Sequence, residues 1–378
     1  MPKIDVLVHR YDENEHDSLP EMRRFANMAG MPSDSPAWRP GRLPAMPPGR
    51  TPLDDLDRAI VACLQVNGRA TWQQVAAVVG ASESTVSRRA NRLLRDQVVC
   101  VSAVPDPPRC GLGTPVLMQV ECAVGATTAV AGVLAMRSDV RFLAMLTGSH
   151  DLVLEVIVAS RAHLAEVLVE QLRSIPGITH TSTETVVRNF KTSYDWSRRI
   201  LGDAANVLEP PPVDVAGPAS LDGVDLQMAQ ILAADGRTPM SEVAARVGIG
   251  EAAARRRVDA LTSRGAFWFA TFVDPQSMGY ETEMFLWLDV DFAHLEEVAS
   301  ALGQHPEVRY MSATAGYSDL ACELVLRDLD DLYRFNTEVL GSLPGIRRVE
   351  MGQELRIVKR GFLTSSAVLP DVAPYLPR

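Results

Sequence analysis

Two stretches of this chain concentrate side chains suited to a polyanion. The first holds Ser82, Ser84, Thr85, Ser87, Arg88, Arg89, Arg92 and Arg95, and the second holds Arg255, Arg256 and Arg257 behind Ala252 and Ala253. Arginine pairs bidentately with guanine edges or holds phosphates, and hydroxyls donate to phosphate oxygens or base edges, so the mixture suits DNA. A basic, solvated helix face offers the same residues without any ligand. Arg89 and Arg257 sit near the middle of their stretches, where Asp57 and Asp225 of a preceding helix are alternative partners. Position by position, the second stretch replaces the hydroxyls of Ser84 and Thr85 with Ala252 and Ala253 and gains the positive charge of Arg255 where the first has Ser87, so the two need not read the same bases.

Both stretches belong to one unit written twice. At an offset of 168 residues Leu53 falls on Leu221, and the register runs without a gap to Lys191 on Lys359. It matches Gly68-Arg69 with Gly236-Arg237, Gly80 with Gly248, Gly148 with Gly316, Asp151 with Asp319, Glu155 with Glu323 and Pro176-Gly177-Ile178 with Pro344-Gly345-Ile346. Two copies are too few for a stacked array and read instead as a covalently linked dimer. Each copy opens with helical spacing: Leu56, Ile60, Val61 and Leu64, a stop at Gly68, a second helix from about Trp72 to Val79, and a turn at Gly80-Ala81-Ser82. A third helix from Glu83 to about Arg95, or 251 to 264, completes a helix-turn-helix that can lie in a major groove. Ser82 suits its N-cap, and Gly250 holds that place in the second copy.

The later part of each copy reads strand, helix, strand, strand, helix, strand. In the first copy these are Pro115 to Cys122, Thr127 to Met136, Val140 to Thr147, Leu152 to Ala159, Arg161 to Ile175 and Thr181 to Asn189. Helices on one face leave the other face bare. In the second copy that face draws on Phe285, Trp287, Leu320 and Leu324 or their alternating neighbours, and is expected to pack on another sheet. Glu155 and Glu323, inside apolar strands, need partners if buried. The fold class is therefore α+β, with two helix-turn-helix domains and two ferredoxin-like βαββαβ domains.

The whole chain, 378 residues at 47% apolar and 22% charged, can build several cores. A net charge of −10 argues against indiscriminate nucleic-acid binding but leaves room for a local basic face. There is no apolar run of bilayer length and no secretory leader, so a cytoplasmic protein without membrane contact is expected. Five cysteines without Cys-x-x-Cys read as reduced structural thiols. No Gly-rich phosphate loop, His/Cys metal spacing or nucleophile elbow occurs, so no cofactor, metal or catalytic residue is expected. Boundaries fall at a flexible extension over 1–50, with a strand-like 4–8 and helix-like 21–28, then domains at 51–110 and 111–192. A proline-rich semi-stiff linker spans 193–219, followed by domains at 220–278 and 279–362 and a tail at 363–378.

The stretches "LDRAIVACLQVNGRATWQQVAAVVGASESTVSRRANRLL", "VRFLAMLTGSHDLVLEVIV" and "IPGITHTSTETVVRNFKT", with their counterparts "VDLQMAQILAADGRTPMSEVAARVGIGEAAARRRVDAL" and "VRYMSATAGYSDLACELVL", resemble the Lrp/AsnC family of transcription regulators. The resemblance implies a winged helix-turn-helix followed by an amino-acid-sensing RAM domain, each present twice where most relatives carry one. It also implies partners: double-stranded DNA, an amino-acid effector, and further copies of the chain unless the two sensing domains pair internally. Effectors of the family bind between sensing domains near the Gly-x-x-Asp hairpin, here Gly148, Ser149, His150 and Asp151, and Gly316, Tyr317, Ser318 and Asp319. A glycine turn does expose N–H groups beside an aspartate, although the same residues are also good turn formers. Two alternatives remain, an enzyme like the siroheme decarboxylases and a pure interaction protein whose second head has decayed. The former are expected to carry His-Asn-Tyr-x-Arg where this chain reads "RFLAMLTG" and "RYMSATAG".

Overall fold

A computed structural model describes residues 42–43, 53–192, 194–213, 219 and 221–365. The strand expected at 4–8 and the helix at 21–28 lie outside the described residues. Arg42–Leu43 forms β1. The first head consists of α1 (Asp55–Val66), α2 (Trp72–Val79) and α3 (Glu83–Arg95), followed by β2 (Val99–Pro105). The first sensing domain contains β3 (Thr114–Cys122), α4 (Thr127–Ala135), β4 (Val140–Leu146), β5 (Leu152–Val158), α5 (Arg161–Glu166) and β6 (Ile178–Thr192). The second head contains α6 (Gly223–Ala234), α7 (Met240–Val247), α8 (Glu251–Ser263) and β7 (Phe267–Val273). Its sensing domain contains β8 (Thr282–Val290), α9 (Leu295–Gln304), β9 (Val308–Ala315), β10 (Leu320–Leu326), α10 (Leu329–Arg334) and β11 (Ile346–Arg360), and β12 (Leu363–Ser365) follows.

The helix ends follow local chemistry. Thr71 and Gln74 make a capping box on α2, and Ser82 accepts the Thr85 N–H at the start of α3. Between them Gly80 takes φ 67°, a left-handed turn that Gly248 repeats at φ 74°. Each head closes over its own core, with Ile60, Leu64, Val75 and Val86 in the first and Leu232, Val243, Ala254 and Val258 in the second.

The sheets of the two ferredoxin-like domains are one closed structure. Strands β4-β5-β3-β6 of the first domain continue into β9-β10-β8-β11 of the second, and β11 returns to β4. The closure depends on β6 and β11, which serve two sheets each. The first half of β6 pairs with β3 and its second half with β9, while β11 pairs first with β8 and then with β4. Helices α4 and α5 cover one outer face over Val130, Leu134, Leu143 and Leu154, and α9 and α10 cover the other over Leu286, Leu302, Leu320 and Leu324. The lumen holds Leu117, Phe142, Val153, Phe285, Trp287 and Tyr310, with Phe285 and Trp287 rings 4.8 Å apart. Of the bare-face residues expected from the sequence, Phe285 and Trp287 do meet the other sheet. Leu320 and Leu324 face the helices instead, and their neighbours Ala321 and Glu323 point inward. Fully burying such a side chain contributes roughly 1.5–3 kcal/mol, so the lumen alone strongly favours keeping the two copies joined.

The strand after each head pairs outside its own head. β2 and β7 form an antiparallel two-stranded ribbon from Val99↔Val273 to Pro105↔Phe267. Two expectations change at the margins. Of the stretch expected to be a semi-stiff linker, the described part from 196 to 208 is packed: Trp196 is buried, Ser197 donates to Gln65, and Ala205 and Leu208 complete the first head's core. Beyond 362, β12 extends the sheet by pairing with β11 and β1.

Candidate nucleic-acid interface and sensing seam

The third helices divide their arginines into two groups. Arg89 donates to Asp54 (2.6 Å) and Asp57 (3.0 Å), and Arg92 also bonds Asp57, whose side chain is 6% exposed. In the second head Arg257 donates to Asp222 and Asp225, both at 2.7 Å. The hydrogen bond from Arg89, with that from the Asp57 backbone, holds the Asp54 carboxyl below its usual range. These arginines therefore tie α3 to α1 and α8 to α6, the alternative that the spacing had left open. Ser82 is occupied by capping and by Thr85, and Ser87 accepts from Asn91. Arg95 pairs with Asp96, and Arg255 with Glu251 one turn back on α8. Ser84 and Arg88 are exposed and Thr85 half-buried. Arg88 and its counterpart Arg256 are both exposed and make no ion pair among the described residues.

The spacing of the two heads is fixed by a device that the sequence showed only as a repeat match. Arg69 donates to the Gly236 carbonyl (2.6 Å) and Arg237 to the Gly68 carbonyl (2.6 Å), so each copy's Gly-Arg pair grips the other's. Arg237 stacks on Trp72 at 4.0 Å and Arg69 on Phe269 at 5.1 Å. Gly236 also donates to Val101 of the ribbon at 2.7 Å. A Cβ there would lie 3.0 Å from the Ser102 nitrogen, so only glycine permits the approach.

The two Gly-x-x-Asp hairpins lie where the long strands cross from one domain to the other. Asp151 and Asp319, both half-buried, each accept a backbone N–H of a neighbouring strand end, Cys122 at 2.7 Å and Val290 at 2.8 Å. The hairpin donors are engaged as well. Glu184 of β6 accepts from the Ser318 N–H (2.9 Å) and hydroxyl (2.7 Å), while Gly316 packs against it. Glu350 of β11 accepts from Ser149 and lies 3.4 Å from His150. Burial pushes the Glu184 carboxyl up, against the pull of the two Ser318 bonds. Gly148 approaches the Met351 carbonyl, and Tyr317 is exposed with its hydroxyl on Arg348.

A third group, inside the barrel, was half legible. Arg141 binds Glu155 through two nitrogens, and Arg309 binds Glu323 (2.5 Å) and Glu283. Arg360 adds bonds to Glu323 at 2.5 and 3.0 Å. Burial alone would raise the Glu323 carboxyl, but the pull of Arg309 and Arg360 outweighs it and keeps the group ionised. Nearby Glu354 is pushed far up by burial and by the charge on Glu323.

Paired helix-turn-helix heads on a barrel of fused ferredoxin-like domains define the class of this protein as a two-module unit present twice in one chain. The AsnC-type helix-turn-helix domain matches residues 53–94 and 221–262, and the Lrp/AsnC ligand binding domain matches 116–196 and 283–363. The chain belongs to the Lrp/AsnC family, with both modules in tandem. An uncharacterized HTH-type transcriptional regulator of Pyrococcus abyssi is 32% identical over 143 residues, 38% of this chain and 90% of that protein. The HTH-type transcriptional regulator LrpA of Pyrococcus horikoshii is 31% identical over 130 residues, 34% of this chain and 92% of its own. One copy here thus corresponds to nearly one whole relative. The siroheme decarboxylase NirDL superposes with a TM-score of 0.56 at 13% identity, covering 85% of this chain and 100% of that one, a likeness of fold alone. No helix among the described residues is long and apolar enough to cross a membrane.

Proposed function

We propose that this chain is a sequence-specific, DNA-binding transcription regulator that carries both reading heads itself, its DNA affinity modulated by a small amino-acid-like metabolite held between the sensing domains. The observation that carries the reading is the pair Arg88 and Arg256, which stand exposed at matching positions of the two third helices and make no ion pair among the described residues. Ser84, Thr85, Ser87, Arg95 and Arg255 flank them, whereas Arg89, Arg92 and Arg257 serve chiefly to brace the heads and Ser82 to cap α3. The crossed Gly-Arg grips and the β2–β7 ribbon support reading by one chain as an internal dimer. A ligand regulates only through different affinities for different head placements. Gel-shift titration on the gene's own upstream DNA tests this. Arg88→Ala and Arg256→Ala should each weaken binding by roughly 1–3 kcal/mol if they reach bases, or lower the salt slope by about 1 if they hold phosphates. An effect of Arg88→Ala alone would mean one working head. No binding by the intact chain would favour an enzyme or a scaffold.

The fold likeness to NirDL gives the enzyme reading its one specific support. Against it, the strands expected to carry His-Asn-Tyr-x-Arg have neither the histidine nor the tyrosine in that order, and Arg141 and Arg309 are spent on glutamates. The ligand contact expected at Gly148 to Asp151 and Gly316 to Asp319 would have to displace Glu350 and Glu184.

A further inference from the structure

Where the barrel meets the ribbon between the heads lies a cavity of about 290 Å³, walled by Arg141, Glu155, Arg309, Glu323, Glu354 and Arg360 and by the end of β7. Its charged wall is built by a repeated irregularity. Between β4 and β5 the pairing jumps from Val140↔Val156 to Phe142↔Glu155, and between β9 and β10 from Val308↔Leu324 to Tyr310↔Glu323. Each jump is a β-bulge that leaves one arginine without a cross-strand partner, Arg141 in one copy and Arg309 in the other. The extra residue turns that arginine inward beside the following aromatic, as bulges at functional sites do. A core needs only apolar side chains here, so a doubled bulge that buries guanidinium groups calls for a reason.

The charges nearly balance without finishing. Inside the barrel the four carboxyls of Glu155, Glu283, Glu323 and Glu354 meet the three guanidinium groups of Arg141, Arg309 and Arg360, while the exposed Arg356 and Glu281 also line the cavity. Three buried polar atoms of the residues lining this cavity have no hydrogen-bond partner among the described residues: Glu354 Oε1, an acceptor, Arg309 Nε, a donor, and the Tyr310 hydroxyl. Native proteins seldom leave such atoms unpaired, so each is a place that water, an ion or a ligand can satisfy. The Glu354 and Arg309 side chains touch at their other ends, Arg309 Nη2 lying 3.6 Å from Glu354 Oε2, so the spare acceptor and spare donor belong to one small region.

We propose that this cavity is the effector site, and that it takes a short zwitterion whose ammonium group bonds Glu354 and whose carboxylate bonds Arg309. The proposal rests on the reading of the chain as an effector-modulated regulator. It moves the ligand from the hairpins to the lumen and makes the Glu184 and Glu350 contacts latches that hold the seam closed. It also gives the ligand a direct route to the heads, because the cavity wall includes Thr271 to Val273 of the ribbon. The carboxylate oxygens of Glu283, Glu323 and Glu354 lie within 4.8 Å of one another, close enough for a divalent ion. Arg309 and Arg360 already fill that space with positive charge, which favours a ligand bearing its own anion.

Calorimetric titration of the full chain with each common α-amino acid, and separately with magnesium, manganese and calcium, decides the matter. At least one amino acid should bind. Glu354→Gln and, independently, Arg309→Lys should weaken it roughly ten- to a hundredfold, with melting curves confirming that each variant is folded. Binding of a metal but of no amino acid overturns the proposal, as does the absence of any binding. Loss of amino-acid binding in Ser149→Ala or Ser318→Ala while Glu354→Gln binds normally would return the ligand to the hairpins. Gel shifts run in parallel separate the two readings: a chain that binds an amino acid but not DNA keeps this site and loses the regulator.

Discussion

At the level of single residues, Asp57 and Glu354 show how one side-chain type does opposite work. Asp57 is a buried anion held by two arginines of α3, and removing one partner of such a set leaves the others uncompensated. Asp57→Ala should lower the stability of the first head by about 1–3 kcal/mol, read as an earlier urea midpoint; an unchanged midpoint would mean that Arg89 and Arg92 do not brace the head. With no ligand bound, Glu354 instead holds its proton to higher pH than the unfolded chain, which loses its own near 4.5. Its contribution to stability is therefore complete below that pH and is lost as pH rises toward the folded value. Wild type should lose stability relative to Glu354→Gln over that rise, and parallel urea midpoints at several pH values would refute the assignment. Spacing alone exposed the Arg89–Asp57 and Arg257–Asp225 alternative, because residues on adjacent helices of a known motif have few places to go. The partners of Glu155 and Glu323 were not legible, because Arg141 and Arg309 leave the inward register only through a bulge, and a bulge leaves no mark in an apolar run such as "VRFLAML".

Among elements, those with local causes matched their sequence signals. α2 and α3 begin at Trp72 and Glu83 and end as the glycine turn and capping residues require. The helix expected over 161–175 begins as α5, widens to a π-helical turn at Val167–Gln171 and ends in a 3₁₀ turn at Leu172–Ser174. Apolar periodicity over so short a span does not distinguish these windings. β6 was expected over Thr181 to Asn189 and runs Ile178–Thr192, because its second half owes its existence to β9, which lies far along the chain. The head-to-head grip had no sequence signal beyond repetition, since a carbonyl acceptor can belong to any residue. Gly236→Ala, whose Cβ would meet the Val101 and Ser102 backbone at 3.0 Å, should push the heads out of register. Affinity for DNA carrying two half-sites should fall while that for a single half-site holds. An equal loss on both probes would mean that the grip sets head stability and not head spacing.

For the molecule as a whole, the shared barrel implies that the two ferredoxin-like domains unfold together. Each contributes strands whose partners lie in the other, so calorimetry should show one transition for the pair; two resolved transitions would show that each half is a folding unit in its own right.

The crossing of β11 onto β4 also sets an order on synthesis. Leu143 must wait for Lys359, so the first sensing domain leaves the ribosome with a raw strand edge that stays open while the rest of the second copy is made. Such a nascent chain is exposed to mispairing with its neighbours on a polysome until its last long strand arrives. The linear order of the gene thus leaves one strand edge unpaired for as long as the second copy takes to be made.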